Sequence, residues 1–336
     1  MRVLVTGAAG FIGFHVARRL LDAGHTVAGF DGMTHYYDPA LKDARLAMLM
    51  ARPGFSFHRA MLEEMPALEA VFAETRPEVV VHLAAQAGVR YSLTNPRAYM
   101  TSNVDGTFNL LEACRMHPVR HLLSASTSSV YGANSAMPFR ETDTIAHPLT
   151  LYAASKAAGE SMAHAYSHLW NIPTTVFRFF TVYGPWGRPD MAPFKFTRAI
   201  ERGEPIDVHN MGKMARDFTY VDDLVEAILR LIDCVPVPPL GRGPADSVDS
   251  LSPAAPYRIV NIGLGQPVRL MDFIAALEAA LGRKAVCHML PMQAGEVVST
   301  FASADLLETL TGYRPATPVS EGIGRFVAWY RESQAG

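Results

Sequence analysis

The feature that most constrains the fold is a run of glycines that begins seven residues into the chain. Gly7, Gly10 and Gly13 follow the aliphatic run Val3-Leu4-Val5 and open an amphipathic helical pattern. Glycine at these positions permits a tight turn, lets the backbone approach a phosphate, and lets helix and strand pack closely. The start of the helix offers N–H donors to an anion, so the segment predicts a dinucleotide site. The residues expected to contact this cofactor are Gly7, Gly10, Phe11, Ile12 and Gly13.

Short aliphatic runs alternate with helical patterns along the first half of the 336 residues. Buried strands separated by helices are typical of a parallel sheet that is covered on both faces. We therefore predict a doubly wound parallel α/β sheet of the Rossmann type, followed by a smaller C-terminal α/β substrate domain. The expected division is 1–175 for the cofactor domain and 176–333 mainly for the substrate domain, with the chain crossing between the two. Residues 235–256, rich in Pro, Ser, Gly and Ala, predict an exposed loop.

Composition excludes several classes of protein. Lys plus Arg number 30 and Asp plus Glu number 32, so the net charge of −2 argues against a nucleic-acid binder. Three well-separated cysteines lack the spacing of a disulfide framework or a zinc site, and we expect no metal. The start of the chain has no signal-peptide pattern, and no apolar run approaches the roughly 18 residues of a membrane helix. These observations predict a soluble cytoplasmic protein.

Asp31 follows the second predicted strand, 18 positions beyond Gly13. A carboxylate at this point accepts hydrogen bonds from a ribose diol and repels a 2′-phosphate. No Lys or Arg lies between Asp31 and Lys42, so little positive charge is expected beside it. The pattern favours NAD over NADP.

Tyr152 and Lys156 form a Y-x-x-x-K pattern within a predicted helix. Side chains four residues apart share a helix face, so the ammonium of Lys156 is expected beside the phenol of Tyr152. A nearby positive charge favours the phenolate and makes the tyrosine a candidate general base. Upstream, the hydroxyl-rich segment 124–129 ends a strand at the carboxyl edge of the sheet, where a hydroxyl can share the substrate proton.

Taken together, these motifs resemble those of the extended short-chain dehydrogenases/reductases, the nucleotide-sugar epimerases and dehydratases. The resemblance rests on Gly7–Gly13, His82-Leu83-Ala84-Ala85, Ser126–Gly132, Tyr152–Lys156, Arg178–Pro185 and Arg216–Asp223. It implies tightly held NAD, with Tyr152 taking the proton of a sugar 4-hydroxyl and Thr127 bonding the same oxygen. It also implies contacts of Arg216 with the nucleotide diphosphate, and of Asn103, Tyr152 and Lys156 with the cofactor.

Within this group, Ser128 and Ser129 stand where sugar dehydratases have an Asp-Glu pair. Ser129 also stands where UDP-glucuronate decarboxylases have Glu. Thr181 replaces an Asn of galactose-type epimerases. The sequence is most similar to the UDP-glucuronate 4-epimerases, which implies conversion of UDP-glucuronate to UDP-galacturonate through a 4-keto intermediate. The alternatives are a UDP-glucuronate decarboxylase, a UDP-glucose 4-epimerase, and a catalytically silent NAD-sensing regulator.

Oxidation of a uronate at C4 makes a β-keto acid, so an epimerase has to hold the carboxylate without promoting loss of CO2. Neutral hydroxyl donors and one guanidinium suit this task. The candidate substrate-binding residues are Arg90, Ser128, Ser129, Thr181, Arg188, Arg216 and Glu296, the last as a ribose contact. The resemblance also implies a homodimer that packs through helices at about 97–116 and 151–170.

Overall fold

The computed structural model describes residues 1–237, 249–292 and 297–335. The strands are β1 (Arg2–Thr6), β2 (Thr26–Phe30), β3 (Phe55–His58), β4 (Val79–His82), β5 (His121–Thr127), β6 (Thr174–Phe179), β7 (Thr181–Tyr183), β8 (Pro205–Val208), β9 (Ala215–Arg216), β10 (Phe218–Tyr220), β11 (Tyr257–Ile262), β12 (Val268–Arg269), β13 (Val286–Met289) and β14 (Ser299–Thr300). The helices are α1 (Phe11–Asp22), α2 (Ala40–Met50), α3 (Met65–Thr75), α4 (Tyr91–Thr94), α5 (Pro96–Tyr99), α6 (Gly106–Met116), α7 (Leu151–Trp170), α8 (Ala192–Arg202), α9 (Val221–Leu231), α10 (Leu270–Leu281), α11 (Asp305–Thr311) and α12 (Val319–Ala335). A π-helix spans Met100–Asp105, and short 3-10 turns span Ser128–Tyr131 and His209–Gly212.

Within the described ranges, seven parallel strands form the main sheet in the order β11-β6-β5-β4-β1-β2-β3. From β1 the chain runs outward to β3, then returns to β4 and continues in the opposite direction. The carboxyl ends of β1 and β4 therefore flank the point where the strand order reverses, which is where doubly wound sheets bind ligands. The predicted fold class is confirmed.

Both faces of the main sheet are covered by helices, and β1 shows how the sequence achieves this. Successive side chains of a strand point to opposite faces. Val3 and Val5 join the core cluster that contains α1, α9, α10 and α12, whereas Leu4 joins the cluster that contains α3 and α6. A strand buried on both sides needs the unbroken aliphatic run seen in the sequence.

The helix predicted at about 97–116 is present in the structure and contains a π-helix that was not predicted. The segment consists of α5, the π-helix Met100–Asp105 and α6. The wider turn holds the buried Asn103, whose side chain reaches the loop after β4 and helix α7. A π-turn inside a helix is often found at a functional site.

Strands from both predicted domains meet in the main sheet. The boundary expected after residue 175 falls inside β6, and β11 returns the chain to the sheet beside β6. The division into two domains stays a prediction. Of the predicted loop 235–256, residues 238–248 lie outside the described residues. After them, Ser252 and Ala255 are buried whereas Pro253 and Ala254 are exposed, so this end of the loop is exposed only in part. In the described part of the chain, no helix has the length and apolar character needed to span a bilayer.

Candidate active site

The glycine turn lies between the end of β1 and the start of α1. Gly7 has φ +72°, a conformation that favours glycine. A Cβ on Gly13 would lie 2.0 Å from the carbonyl oxygen of Gly7, and one on Gly10 would lie 2.9 Å from the same oxygen. Helix α1 begins at Phe11 without a side-chain cap or an acidic residue in its first turn. Because its first amides point out of the helix, the turn fits a bound pyrophosphate. Ile12, beside them, is half-buried.

Asp31 is buried directly after β2. Its carboxylate accepts hydrogen bonds from the backbone amides of Ala9, at 3.1 Å, and Met33, at 2.8 Å. These bonds fix the carboxylate beside the glycine turn, in a position that suits a ribose diol.

Helix α2 brings two cations to this carboxylate, contrary to the expectation of little positive charge nearby. Burial lowers the pKa of Lys42 and of Arg45, and the charge of Asp31 raises both. The guanidinium of the fully buried Arg45 donates to the carbonyl oxygens of Ala9, at 3.0 Å, and Trp186, at 2.6 Å. The sequence argument considered only the residues between Asp31 and Lys42. Lys42 and Arg45 lie at and just beyond the end of that interval, in the first two turns of α2.

Asn103 joins the loop after β4 to helix α7. Its amide nitrogen donates to the Gln86 carbonyl and to the Ser155 hydroxyl, both at 3.0 Å. Its amide oxygen accepts from the Gln86 amide at 2.7 Å. Every polar atom of this side chain is therefore used to hold the loop and helix together beside the predicted cofactor site.

The expected catalytic side chains meet at the carboxyl edge of the sheet. β5 ends at Thr127, and α7 begins one residue before Tyr152, with Thr150 as its N-cap. Burial raises the pKa of Tyr152 above its usual value, whereas a hydrogen bond with Thr127 and the charge of Arg188 lower it. Sequence reasoning assigned this lowering to Lys156, and that role stays a prediction; Arg188 is a second cation whose charge acts on the phenol.

Lys156 lies one helical turn beyond Tyr152 and is buried. Burial lowers the pKa of its ammonium to about 8, and the charge of Glu160 opposes that effect. Its charge is therefore coupled to that of Glu160, which lies one helical turn further along α7.

Two of the hydroxyl groups proposed for the uronate, those of Ser128 and Ser129, directly follow Thr127 in the chain. Its hydroxyl accepts a hydrogen bond from the Ser129 amide at 3.2 Å and donates to the Ser129 hydroxyl at 3.3 Å. Ser128, between them, begins a 3-10 turn and is half-buried. Thr181 begins β7, and its amide donates to the Asp217 carbonyl at 2.9 Å. No carboxylic acid interrupts the segment from Thr127 to Ser129.

Arg188 is held by two residues that sequence reasoning missed, Asp190 and Tyr36. Its Nε and Nη2 donate to Asp190 at 3.0 and 2.6 Å, and its guanidinium lies 5.4 Å from the centre of the Tyr36 ring. The Tyr36 hydroxyl donates to Asp190 at 3.0 Å. Although burial raises the pKa of Asp190, the Arg188 guanidinium holds it below its usual value. The Arg-Pro-Asp spacing signals the ion pair, but Tyr36 lies more than 150 residues away and gives no local signal.

Tyrosine rings connect this ion pair to the catalytic phenol. Tyr36 lies 4.8 Å from Tyr91, Tyr91 lies 6.3 Å from Tyr99, and Tyr99 lies 5.9 Å from Tyr152. Segments that follow β2 and β4 thus form one aromatic wall of the site.

Arg90, Arg216 and Glu296 are the other residues predicted to bind the substrate. Arg90 is exposed and immediately precedes α4. Arg216 lies in β9, where its guanidinium donates to the carbonyl oxygens of Ala215, at 2.8 Å, and Val298, at 3.1 Å. Glu296 lies outside the described residues. Among those described, no three His, Cys, Asp or Glu residues are grouped so as to hold a metal ion.

The sequence matches the NAD dependent epimerase/dehydratase family over residues 3–238. The chain belongs to this family. It is 56% identical over 333 residues to a probable UDP-glucuronate 4-epimerase of Rhizobium meliloti, covering 99% of this chain and 98% of the relative. It is 44% identical to UDP-glucuronate 4-epimerase 1 of Arabidopsis thaliana, covering 98% of this chain and 76% of the relative.

Among solved structures, the fold is similar to that of UDP-glucuronic acid 4-epimerase from Bacillus cereus in complex with UDP-glucuronic acid and NAD. The TM-score is 0.87 and the sequence identity 31%, and the match covers 99% of this chain and 100% of the other. This family member therefore shares its whole architecture with a protein that binds both a UDP-uronate and NAD.

Proposed function

We propose that this protein is an isomerase that converts UDP-glucuronate to UDP-galacturonate through a 4-keto intermediate, with NAD as its cofactor. The observation that carries the proposal concerns the phenol of Tyr152. It forms a hydrogen bond with the Thr127 hydroxyl, and the positive charge of Arg188 lowers its pKa. Relatives named as UDP-glucuronate 4-epimerases support the choice of substrate.

NAD fits the residues that surround the glycine turn. The first amides of α1, including those of Phe11 and Ile12, would hold the pyrophosphate, and Asp31 would accept hydrogen bonds from a ribose. Asn103 and Lys156 would lie on the nicotinamide side. When bound, NAD supplies a site that takes a hydride from C4 of the sugar and returns it.

Tyr152 would act as the general base on the 4-hydroxyl, with the Thr127 hydroxyl bonding the same oxygen. The charge of Arg188 lowers the pKa of the phenol and so stabilises the phenolate that this step requires. The 4-keto sugar would then rotate to present its other face to the cofactor. Return of the proton from Tyr152 to the 4-oxygen completes the inversion at C4, and Tyr152 regains its starting ionisation state.

The uronate carboxylate would lie against Ser128, Ser129, Thr181 and Arg188. Hydroxyl groups bind a carboxylate without supplying the acid that an enolate needs after loss of CO2. This arrangement favours epimerisation over the decarboxylase alternative. The Nη1 donors of Arg188, which Asp190 does not use, would bind a uronate carboxylate and not a neutral hexose, which disfavours a UDP-glucose 4-epimerase. Arg216 and Arg90 would bind the diphosphate side, and Glu296 the uridine ribose.

Incubation of the purified protein with UDP-glucuronate and NAD, followed by chromatography and mass measurement, tests the function. We expect a product of unchanged mass that elutes as UDP-galacturonate, and loss of activity by a factor of about 10³ or more in Tyr152→Phe. A product that has lost CO2 would identify a decarboxylase. No product from the wild-type protein, together with unchanged biological activity in Tyr152→Phe, would favour the silent NAD-sensing regulator.

A homodimer that forms through the π-helix, α6 and α7 is part of this proposal. This face carries exposed apolar side chains, namely those of Met100, Phe108, Met116, Leu169 and Trp170. Exposed apolar patches of this kind mark interaction surfaces. Sedimentation velocity should show a dimer that Phe108→Glu converts to monomer. Met50→Glu, which alters an exposed methionine on α2, is the matched control and should leave the dimer intact.

The proposal also places the enzyme in the cytoplasm. The cysteines are free thiols, which agrees with a reducing compartment.

A further inference from the structure

Helix α7 carries a third chemistry-bearing side chain in line with Tyr152 and Lys156. Glu160 follows Lys156 by four residues, so the two lie on the same face of the helix. Glu160 and Lys156 line one polar cavity, together with Asn103, Thr107, Ser124, Ser126 and Ser155.

The carboxylate of Glu160 is buried and held in place. The guanidinium of Arg178, on β6, donates to its two oxygens at 3.0 and 2.7 Å, and the Ser126 hydroxyl donates to it as well. The Tyr257 hydroxyl donates to the Glu160 carbonyl at 3.2 Å. A bidentate Arg–carboxylate fork fixes both charge and geometry, so Glu160 presents a stationary negative charge to the cavity.

The other groups around Lys156 do not offer such a charge. His82, on β4, has its pKa lowered to about 3 by burial and by Lys156 itself, so it is neutral at physiological pH. Arg178 is a cation paired with Glu160, and Tyr152 is a phenol. Among the described residues, Glu160 is the group whose charge opposes the effect of burial on Lys156.

We propose that Glu160 is a positioning residue that keeps the Lys156 ammonium charged and fixed behind Tyr152, across the shared polar cavity. Arg178 and Ser126 hold Glu160 in place for this purpose. An uncharged amine at Lys156 would weaken its contact with the nicotinamide side of the cofactor, where the proposed function places it.

Lysine NMR tests the proposal without depending on activity. The sequence has five lysines, Lys42, Lys156, Lys195, Lys213 and Lys284, so [ε-¹³C]lysine labelling gives few signals, and Lys156→Arg assigns the relevant one. In the wild-type protein we expect Lys156 to titrate near a pKa of about 8. In Glu160→Gln its midpoint should fall by about one pH unit or more, because the opposing charge is gone.

Arg178→Met tests the opposite change. It removes the Arg178 cation and leaves the Glu160 carboxylate, so the titration midpoint of Lys156 should move to higher pH. A merely structural ion pair predicts that both single variants lose stability without opposite titration shifts. Because Glu160→Gln leaves a buried unpaired guanidinium, the double variant Glu160→Gln/Arg178→Met is measured too, and its Lys156 midpoint should lie below that of the wild type.

Asp249→Asn is the matched control, since it breaks another ion pair, with Arg258 on β11, at 2.8 Å. It should lower stability and leave the Lys156 midpoint unchanged. Equal midpoints in the wild type and both Glu160 variants would overturn the proposal. With UDP-glucuronate, the alkaline limb of kcat should also move to lower pH in Glu160→Gln. That readout rests on the proposed function, which wild-type activity tests separately.

Discussion

Arg188 has two tasks at the scale of single residues, because it lies near both the catalytic phenol and the proposed carboxylate position. Its charge lowers the pKa of Tyr152, while burial raises it. In Arg188→Ala the phenol should be harder to ionise, so the acidic limb of kcat should move to higher pH. A pH profile measured with UDP-glucuronate checks this.

UDP-glucose separates the two tasks of Arg188, since it has no carboxylate. In Arg188→Ala the KM and the Kd for UDP-glucuronate should rise, whereas the Kd for UDP-glucose, measured by calorimetry, should stay unchanged. Arg188→Lys is the companion variant: it keeps the charge and loses the fork, so it should restore the pH limb but not the KM. An unchanged pH profile in Arg188→Ala would contradict the coupling to Tyr152.

Gly13 shows how closely α1 approaches the turn that precedes it. A Cβ there would meet the Gly7 carbonyl oxygen at 2.0 Å, so Gly13→Ala should destabilise the protein by about 2 kcal/mol or more and weaken NAD binding. Urea unfolding and NAD titration measure the two effects. Gly324→Ala, a helical glycine with nothing within 4 Å, is the control and should be neutral or slightly stabilising.

Local motifs predicted the residues of the site whose function depends on short spacing. The glycine turn, Asp31, and the pairing of Thr127 with Tyr152 were all recognisable in the sequence. Tyr36 and Arg45 were missed because each acts through a contact with a distant segment, whereas Asp190 pairs with Arg188 two residues away and had a local signal. Contacts with distant segments depend on how loops fold back at the sheet edge, and a single sequence holds no periodic signal for them.

At the scale of elements, Asp217 ties β9 and β10 to the loops that follow β11 and β14. One oxygen accepts from the Leu264 amide at 2.7 Å and the Thr219 hydroxyl at 3.2 Å. The other accepts from the Gly265 amide at 2.9 Å and the Ala302 amide at 3.2 Å. In Asp217→Asn an amide nitrogen would face N–H donors, so the free energy of unfolding should fall by about 2 kcal/mol.

Urea unfolding of Asp217→Asn checks this loss. The matched control is Asp207→Asn, an exposed aspartate paired with His288, which should change stability by less than about 0.5 kcal/mol. Equal unfolding midpoints for the two variants would show that the loops do not depend on Asp217.

The helix expected at about 151–170 has the bounds of α7, and the one expected at about 97–116 spans α5, the π-helix and α6. Apolar spacing did not reveal the π-helix, because that spacing is compatible with a continuous α-helix. The extra residue per turn is set by the tertiary hydrogen bonds of Asn103, which periodicity does not encode.

At the scale of the whole molecule, buried neutral histidines should make the fold sensitive to acid. Burial lowers the pKa of His15 and His82 to about 3 and that of His121 to about 4. Because unfolded histidine titrates near about 6.5, their stabilisation is complete above that pH and is lost as the pH falls towards 3. Each contributes a loss of up to about 1.4 kcal/mol per pH unit.

Glu141 acts in the opposite direction, since burial raises its pKa to about 7, and its stabilisation is lost as the pH rises from 4.5 to 7. Three histidines outweigh one glutamate, so urea midpoints should fall from pH 7 to pH 4.5. The decline should be shallower in His121→Gln, and a midpoint independent of pH would contradict this account.

The single guanidinium of Arg45 connects the two ends of the ligand cleft, since it bonds both Ala9 in the glycine turn and Trp186 near Arg188. A change near Trp186 that alters the sugar preference should therefore also alter the affinity for the dinucleotide. Exchange of the segment around Trp186 to admit another hexose would also disturb the Arg45 side chain that holds the glycine turn. Such variants should therefore be tested first for retention of the cofactor.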